Sequence, residues 1–199
     1  MKGILMSKQQ IERIRVPSIE EVEGEKKRLD KRGEQRHFLA GIIGTLTVFA
    51  AAVVLCVTLF FPVLQVTGDS MEPGLREGNL ILTRKTDHLK TGDICGFYYN
   101  NELLLKRVIG VPGDMVDIDA EGNVSVNGQI LNEPYVLQKA LGKSDVSFPL
   151  LVPEDCYFVM GDNREVSIDS RSSIIGCVNL EQIEGKVILK LWPPGRVSS

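Results

Sequence analysis

Hydrophobic and polar positions divide the chain into three stretches. From Phe38 to Phe61 every residue is apolar or small except for Thr45, Thr47 and Thr58, and Pro62 ends the run. At about 1.5 Å per helical residue this stretch spans roughly 36 Å, enough for a hydrocarbon core of about 30 Å. A helix in a soluble core would show polar residues at a regular period, and this one does not. It is therefore expected to cross a bilayer once, over residues 38–62. The run exceeds the usual ~7–15 apolar residues of a cleaved leader, so a retained signal anchor fits better. Ala40 and Gly44 have the small-xxx-small spacing of packed helices in lipid.

Before the run, residues 1–37 are polar and mixed in charge. Ser18 and Glu21 have capping-box spacing behind Pro17, and Glu23 and Lys27 stand one helical turn apart, so a short helix over 19–36 is one expectation. Gly24 and Gly33 weaken it, and a solvated tail is the other. After the run the pattern changes to short apolar stretches separated by turn residues. Leu80–Thr83, Asp93–Tyr99, Leu103–Val111, Val116–Asp119, Val124–Val126, Tyr157–Met160 and Lys186–Leu191 read as strands. Asn100-Asn101, Pro112-Gly113-Asp114, Gly122-Asn123 and Asn127-Gly128 read as the turns between them. Residues 136–150 form a less regular insertion. The predicted architecture is an antiparallel all-β domain over 63–199 behind one transmembrane helix.

Charge gives this arrangement a direction. Residues 1–37 hold 10 Lys+Arg against 7 Asp+Glu, whereas residues 67–199 hold 13 against 19. Lys26, Lys27, Arg28, Lys31, Arg32 and Arg36 precede the run, and the first basic residue after it is Arg76. The excess of basic residues on one flank places residues 1–37 in the cytoplasm and residues 63–199 on the extracytoplasmic side. An acidic outer domain excludes nucleic acid as a partner, because phosphate binding needs clustered basic charge. Cys56, Cys95, Cys156 and Cys177 form no C-x-x-C pair, which argues against a zinc site. Cys95, Cys156 and Cys177 read as small buried apolar residues, with one disulfide as the alternative.

Three clusters could carry chemistry. Ser70 lies in Gly68-Asp69-Ser70-Met71-Glu72-Pro73, where Gly and Pro favour an irregular turn that presents a hydroxyl. A serine nucleophile needs a base. His37 is on the cytoplasmic flank, and His88 sits in Asp87-His88-Leu89-Lys90 with no motif around it. Lys106 is the other option. It lies in Leu103-Leu104-Leu105-Lys106-Arg107-Val108-Ile109-Gly110, a strand apolar enough to strip water from an amine and lower its pKa from about 10.4. The bland alternative is a lysine that snorkels from an edge strand. The third cluster, Gly161-Asp162-Asn163-Arg164-Glu165-Val166-Ser167-Ile168-Asp169-Ser170-Arg171, could be a surface loop or a braced site.

These three clusters, in this order behind an anchor, resemble the signature boxes of bacterial type I signal peptidases, and Asn127-Gly128 with Glu133-Pro134-Tyr135 also resembles the family. The resemblance covers nearly all of residues 38–192. It implies a membrane-bound serine endopeptidase on the all-β fold shared with LexA-type autoproteases, without cofactor or metal. By motif, Ser70 would be the nucleophile and Lys106 the general base. Ser167 would hydrogen-bond and orient the lysine. Asp169 and Arg171 would brace the loop, and Asp162 would pair with Arg107. Met71, Leu75 and Leu105 are candidates for lining the substrate pockets. The implied partners are the lipid bilayer and the signal peptides of preproteins, cut after small residues at −1 and −3 by a monomer. Two positions depart from the family pattern. Gly74 stands where many members have Thr, and Gly68 where some have a hydroxyl that helps the oxyanion hole, leaving that contact to the Ser70 backbone N–H. A self-cleaving Ser–Lys regulator and a non-catalytic surface-assembly relative are the competing readings.

Overall fold

The computed structural model describes residues 17–86 and 88–195, and the expectations for residues 1–16 lie outside them. The chain divides into two compact units, Met1–Leu55 and Cys56–Ser199. One α-helix, α1, runs without interruption from Ile19 to Phe60. Its start is the capping box read from sequence: Ser18 N donates to Glu21 Oε2 at 3.1 Å, and Glu21 N donates to Ser18 Oγ at 3.3 Å. The expected boundary between a polar segment and the apolar run, at residue 37, is therefore not a structural one. No proline lies between Ile19 and Phe61, so the i→i−4 ladder continues from polar into apolar sequence until Pro62 removes a donor. Gly24 and Gly33 sit within the helix. Thr45 Oγ1 donates to Gly41 O and Thr47 Oγ1 to Ile43 O, so these hydroxyls are satisfied by the helix's own backbone. None of the helix's side chains is buried.

The second unit is built of antiparallel strands: β1 (Val63–Gln65), β2 (Leu80–Arg84), β3 (Ile94–Tyr99), β4 (Glu102–Gly110), β5 (Met115–Ile118), β6 (Val124–Val126), β7 (Gln129–Ile130), β8 (Leu150–Leu151), β9 (Cys156–Met160), β10 (Val178–Asn179) and β11 (Ile183–Trp192). A seven-stranded sheet has the order β1-β2-β11-β3-β4-β9-β10, and a four-stranded sheet has the order β7-β6-β5-β8. The β3–β4 hairpin turns at Asn100 and Asn101, both at positive φ, and the β6–β7 hairpin turns at Asn127 and Gly128 in the same way. Asn and Gly enter that region at least cost, and the resulting turns match the twist of the flanking strands.

Three apolar clusters fill the unit. One joins the sheets: Ile109, Phe158 and Met160 of the larger meet Val116, Ile118, Val124 and Val152. A second lies under β3, β4 and β9, around Phe97, Val108, Tyr157 and Val159. The third gathers Val66, Met71, Leu75, Ile81, Ile94 and Val187 beneath the β1–β2 connection. The cysteines carry free thiols, and Cys95 is fully buried in the second cluster, consistent with its reading as a small apolar residue.

Packing at the sheet junction leaves no room for an added methyl at Gly110, where a Cβ would come within 2.6 Å of Val116 Cγ2 and 3.0 Å of Val152 Cγ2. Gly110→Ala is expected to destabilise the protein by about 1–3 kcal/mol. Thermal unfolding of the full chain in detergent should show a Tm several degrees lower, and an unchanged Tm would contradict this packing.

Candidate active site

Ser70 belongs to the turn between β1 and β2, and the turn is held at both ends and from below. Val66 N donates to Asn79 O at 2.8 Å and Gly78 N to Val66 O at 2.9 Å. Within it, Glu72 N donates to Asp69 O and Leu75 N to Met71 O. Met71 and Leu75 are 1% and 0% exposed in the third apolar cluster. Two anchored side chains thus fix an otherwise irregular loop, and Ser70 is left half-buried at its surface. This places Leu75 in the core, where the turn's helical winding directs it, rather than on the cleft wall expected from sequence.

Lys106 lies midway along β4, opposite Cys95 of β3. Only 4% of it is exposed, and Nζ donates to Ser70 Oγ at 2.8 Å. Burial pushes the amine below its ordinary 10.5; Asp169 opposes the shift and Arg171 adds to it. The same dry surroundings push the neighbouring Cys95 thiol up to about 12, with Asp93 contributing. A low-dielectric site penalises whichever form is charged, so an amine and a thiol move in opposite directions. His88, by contrast, is exposed in the loop between β2 and β3.

The segment from Gly161 to Ser172 closes the site. Asn163 N donates to Ser70 O at 3.0 Å, and Asn163 Nδ2 reaches Asp69 O at 3.4 Å. Arg107 grips Asp162 through Nε and Nη2 at 2.8 and 2.7 Å, and its Nη1 donates to Gly92 O. Arg171 grips Asp169 through two contacts of 2.8 Å and ties Leu141 O from the 136–150 insertion. Burial pushes the Asp169 carboxyl up, but the hydrogen bonds and charge of Arg171 outweigh it and hold Asp169 below the usual carboxylate range. Asp162 lies against Arg107 and Asp169 against Arg171, each contact bidentate and almost fully buried.

Ser167 departs from expectation. Its Oγ is buried beside Gly161 and near enough to Asp169 to help lower that carboxyl, and among the described residues it makes no hydrogen bond to Lys106. Lys106 instead directs Nζ to Ser70. Gly161 has no room for a side chain, since a Cβ there would overlap Ser167 and the Ser70 carbonyl. One buried ion pair was not foreseen. Arg164 Nη2 meets Glu133 Oε1 at 2.5 Å, with both side chains fully enclosed. The only sequence signal for it was the familial look of Glu133-Pro134-Tyr135, which named no partner.

A narrow cleft of about 60 Å³ opens beside Ser70, lined by Leu64 to Gly68 on one wall and Leu103 to Lys106 on the other, with Met71 at its end. The register of β4 with β9 covers only Arg107 to Gly110. The Leu103–Lys106 edge away from β3 therefore faces the cleft. Gly68, at φ +80°, lines the cleft next to Ser70, and a Cβ there would meet open space. A hydroxyl side chain would have room but would strain this backbone.

A serine hydroxyl in contact with a buried amine, at the end of a groove between strand edges, is an arrangement that suits a serine hydrolase. The family model for signal peptidase, peptidase S26, matches residues 39–192. The chain belongs to this signal peptidase family and is a serine peptidase. It is 36% identical to signal peptidase IB of Staphylococcus aureus over 153 residues, covering 64% of this chain and 76% of that one. Over 161 residues it is 39% identical to signal peptidase I of Bacillus caldolyticus, covering 72% and 87%. A crystal structure of a signal peptidase I from Enterococcus faecalis V583 aligns at 31% identity with a TM-score of 0.41, over 50% of this chain and 96% of that one.

A lysine with a lowered pKa binds fewer protons folded than unfolded, from its lowered value up to 10.5. Stability should therefore rise with pH across that window. Lys106→Met removes the buried amine, so it should unfold later than wild type at pH 7, and the difference should shrink as the pH approaches 10.5. Denaturant unfolding in detergent at pH 7 and pH 10 checks this; parallel pH profiles for the two proteins would refute it.

Proposed function

We propose that this protein is a membrane-anchored endopeptidase that removes signal peptides from exported preproteins, with Ser70 as nucleophile and Lys106 as general base. The observation that carries the reading is the 2.8 Å contact between Lys106 Nζ and Ser70 Oγ at a buried amine. When the amine is neutral the contact runs the other way, with the hydroxyl donating. Lys106 then takes the Ser70 proton as Oγ attacks the scissile carbonyl carbon. Negative charge collects on the carbonyl oxygen, within reach of the Ser70 backbone N–H. As the C–N bond breaks, the ammonium of Lys106 passes its proton to the leaving amine, and an acyl ester remains on Ser70. A water molecule, deprotonated by Lys106, hydrolyses the ester and restores the hydroxyl.

The cleft supports the substrate class. Two strand edges face each other across it, so an extended peptide can pair its backbone with both walls, as an added strand. Little volume remains between Leu64, Met71 and Leu105. This favours small side chains at −1 and −3, which point to the same side of an extended chain.

Location at a membrane is supported by two features. Helix α1 is long and apolar enough to cross a bilayer. In the second unit, exposed Val63, Leu80, Ile188, Leu189, Leu191 and Trp192 gather on β1, β2 and β11, three neighbouring strands at one end of the larger sheet. Such a patch, with Trp192 among its members, suits contact with the lipid interface. Only nine residues lie between Phe60 and Ser70. The basic flank puts the N-terminus in the cytoplasm and the peptidase outside, where cleavage sites of inserted signal peptides emerge.

Ser70→Ala and Lys106→Ala should each lower preprotein cleavage by at least about 10²–10⁴-fold while leaving an inserted, folded protein. For wild type, kcat/KM should rise with pH along a limb below 10.5. Replacing the −1 Ala of the preprotein by Leu should abolish cutting. Near-normal cleavage by Lys106→Ala would refute the dyad.

A further inference from the structure

Glu133 lies outside the three boxes, on the connection that follows β7, yet it is 6% exposed and its carboxylate is occupied on both oxygens. Oε1 accepts from Arg164 Nη2 at 2.5 Å and from the Tyr135 hydroxyl at 3.2 Å, and Oε2 accepts from Arg164 Nη1 at 3.2 Å. The third arm of Arg164, Nε, donates to Gly161 O at 3.1 Å. On its other side the Gly161 N–H donates to Asp169 Oδ2 at 2.9 Å. The N–H and the C=O of Gly161 are thus both clamped, and this is the residue whose Cα packs against the Ser70 carbonyl and Ser167. A parallel route leaves from Tyr135, whose ring lies 3.8 Å beneath the Arg107 guanidinium that grips Asp162.

We propose that Glu133 is a positioning residue for catalysis: through Arg164 it fixes the Gly161 peptide against the Ser70 turn and keeps the Ser70–Lys106 contact closed to water. The inference rests on the dyad reading above. Arg164 carries a charge that the surroundings cannot hydrate, and Glu133 holds the guanidinium in the one orientation that leaves Nε facing Gly161. A lysine could pair with Glu133 but could not span both groups, because it offers a single ammonium in place of a planar fork. If Gly161 drifts, the wall that shields Lys106 opens and water reaches the amine.

The test is a Glu133→Leu/Arg164→Met double variant of the full chain in detergent. It replaces a buried ion pair by apolar side chains of similar size and is expected to fold, since such replacements are often neutral for stability. Arg164→Lys serves as the second variant, retaining a partner for Glu133 while releasing Gly161. In both, kcat on a preprotein should fall about tenfold to a hundredfold with KM near wild type, the cost typical of a displaced reacting group. The ascending limb of the pH–rate profile should move to higher pH, because water restores the amine towards its ordinary value. Titration of Lys106 by NMR with carbon-labelled lysine should show the same upward movement. A folded variant with wild-type kcat and an unshifted Lys106 titration overturns the proposal. If wild type itself fails to cut preproteins, the peptidase reading falls, yet the Lys106 titration still decides whether Glu133 controls that amine.

Discussion

Everything around the site follows from one requirement: a lysine amine must stay dry while touching a hydroxyl that substrate can reach. The strand supplies the dryness. Lys106 is held between Cys95 on β3 and the enclosing segment that begins at Gly161, and desolvation is the largest influence on it. The turn supplies the reach, because Met71 and Leu75 sink into the core and leave Ser70 at the surface. Neither half suffices alone. In the proposed dyad, a buried lysine without Ser70 would have nothing to deprotonate, and a turn serine without the lysine would be a weak nucleophile.

Charge near such a lysine has to be balanced. Three arginines are almost fully enclosed in this region, and each has its own carboxylate: Arg107 with Asp162, Arg164 with Glu133, Arg171 with Asp169. Isolated buried charges would be costly, and paired ones largely cancel as seen from a third site. The effect is visible at Lys106, where Asp169 and Arg171 act in opposite directions. With these fields offset, the burial of the amine decides its protonation. The pairs also do mechanical work, since each joins the closing segment to a different part of the unit: Arg107 to β4, Glu133 to the connection after β7, and Arg171 to the 136–150 insertion.

Much of this was legible from residue pattern. The longer strands announced themselves by apolar runs bounded by turn residues, and Asn100-Asn101 and Asn127-Gly128 adopt the positive φ values that their chemistry allows. The short strands β1, β8 and β10 carry too little pattern to be seen, whereas the equally short β6 was marked by its alternation and flanking turns, and β1 was masked by the apolar run it follows. At residue 37 the side chains change from polar to apolar while the backbone stays helical, and only the hydrogen-bond ladder reveals that continuity. Leu75 was a candidate for the cleft wall, but the winding of the turn sends it inward. Ser167 Oγ faces Gly161, a packing outcome no local pattern contains. Glu133 and Arg164 stand 31 residues apart, on different elements, and nothing local records their pairing.

The two strand edges that face each other across the cleft have a consequence for turnover. Under the proposed function, a peptide lying between them would be held by many weak backbone contacts that act together because one chain links them. Severing that chain at Ser70 would turn a single multivalent ligand into two short ones, each bound by its own few contacts and no longer raising the other's effective concentration. The cut would then undo the avidity that made the substrate bind, and release of product would need no opening of the groove.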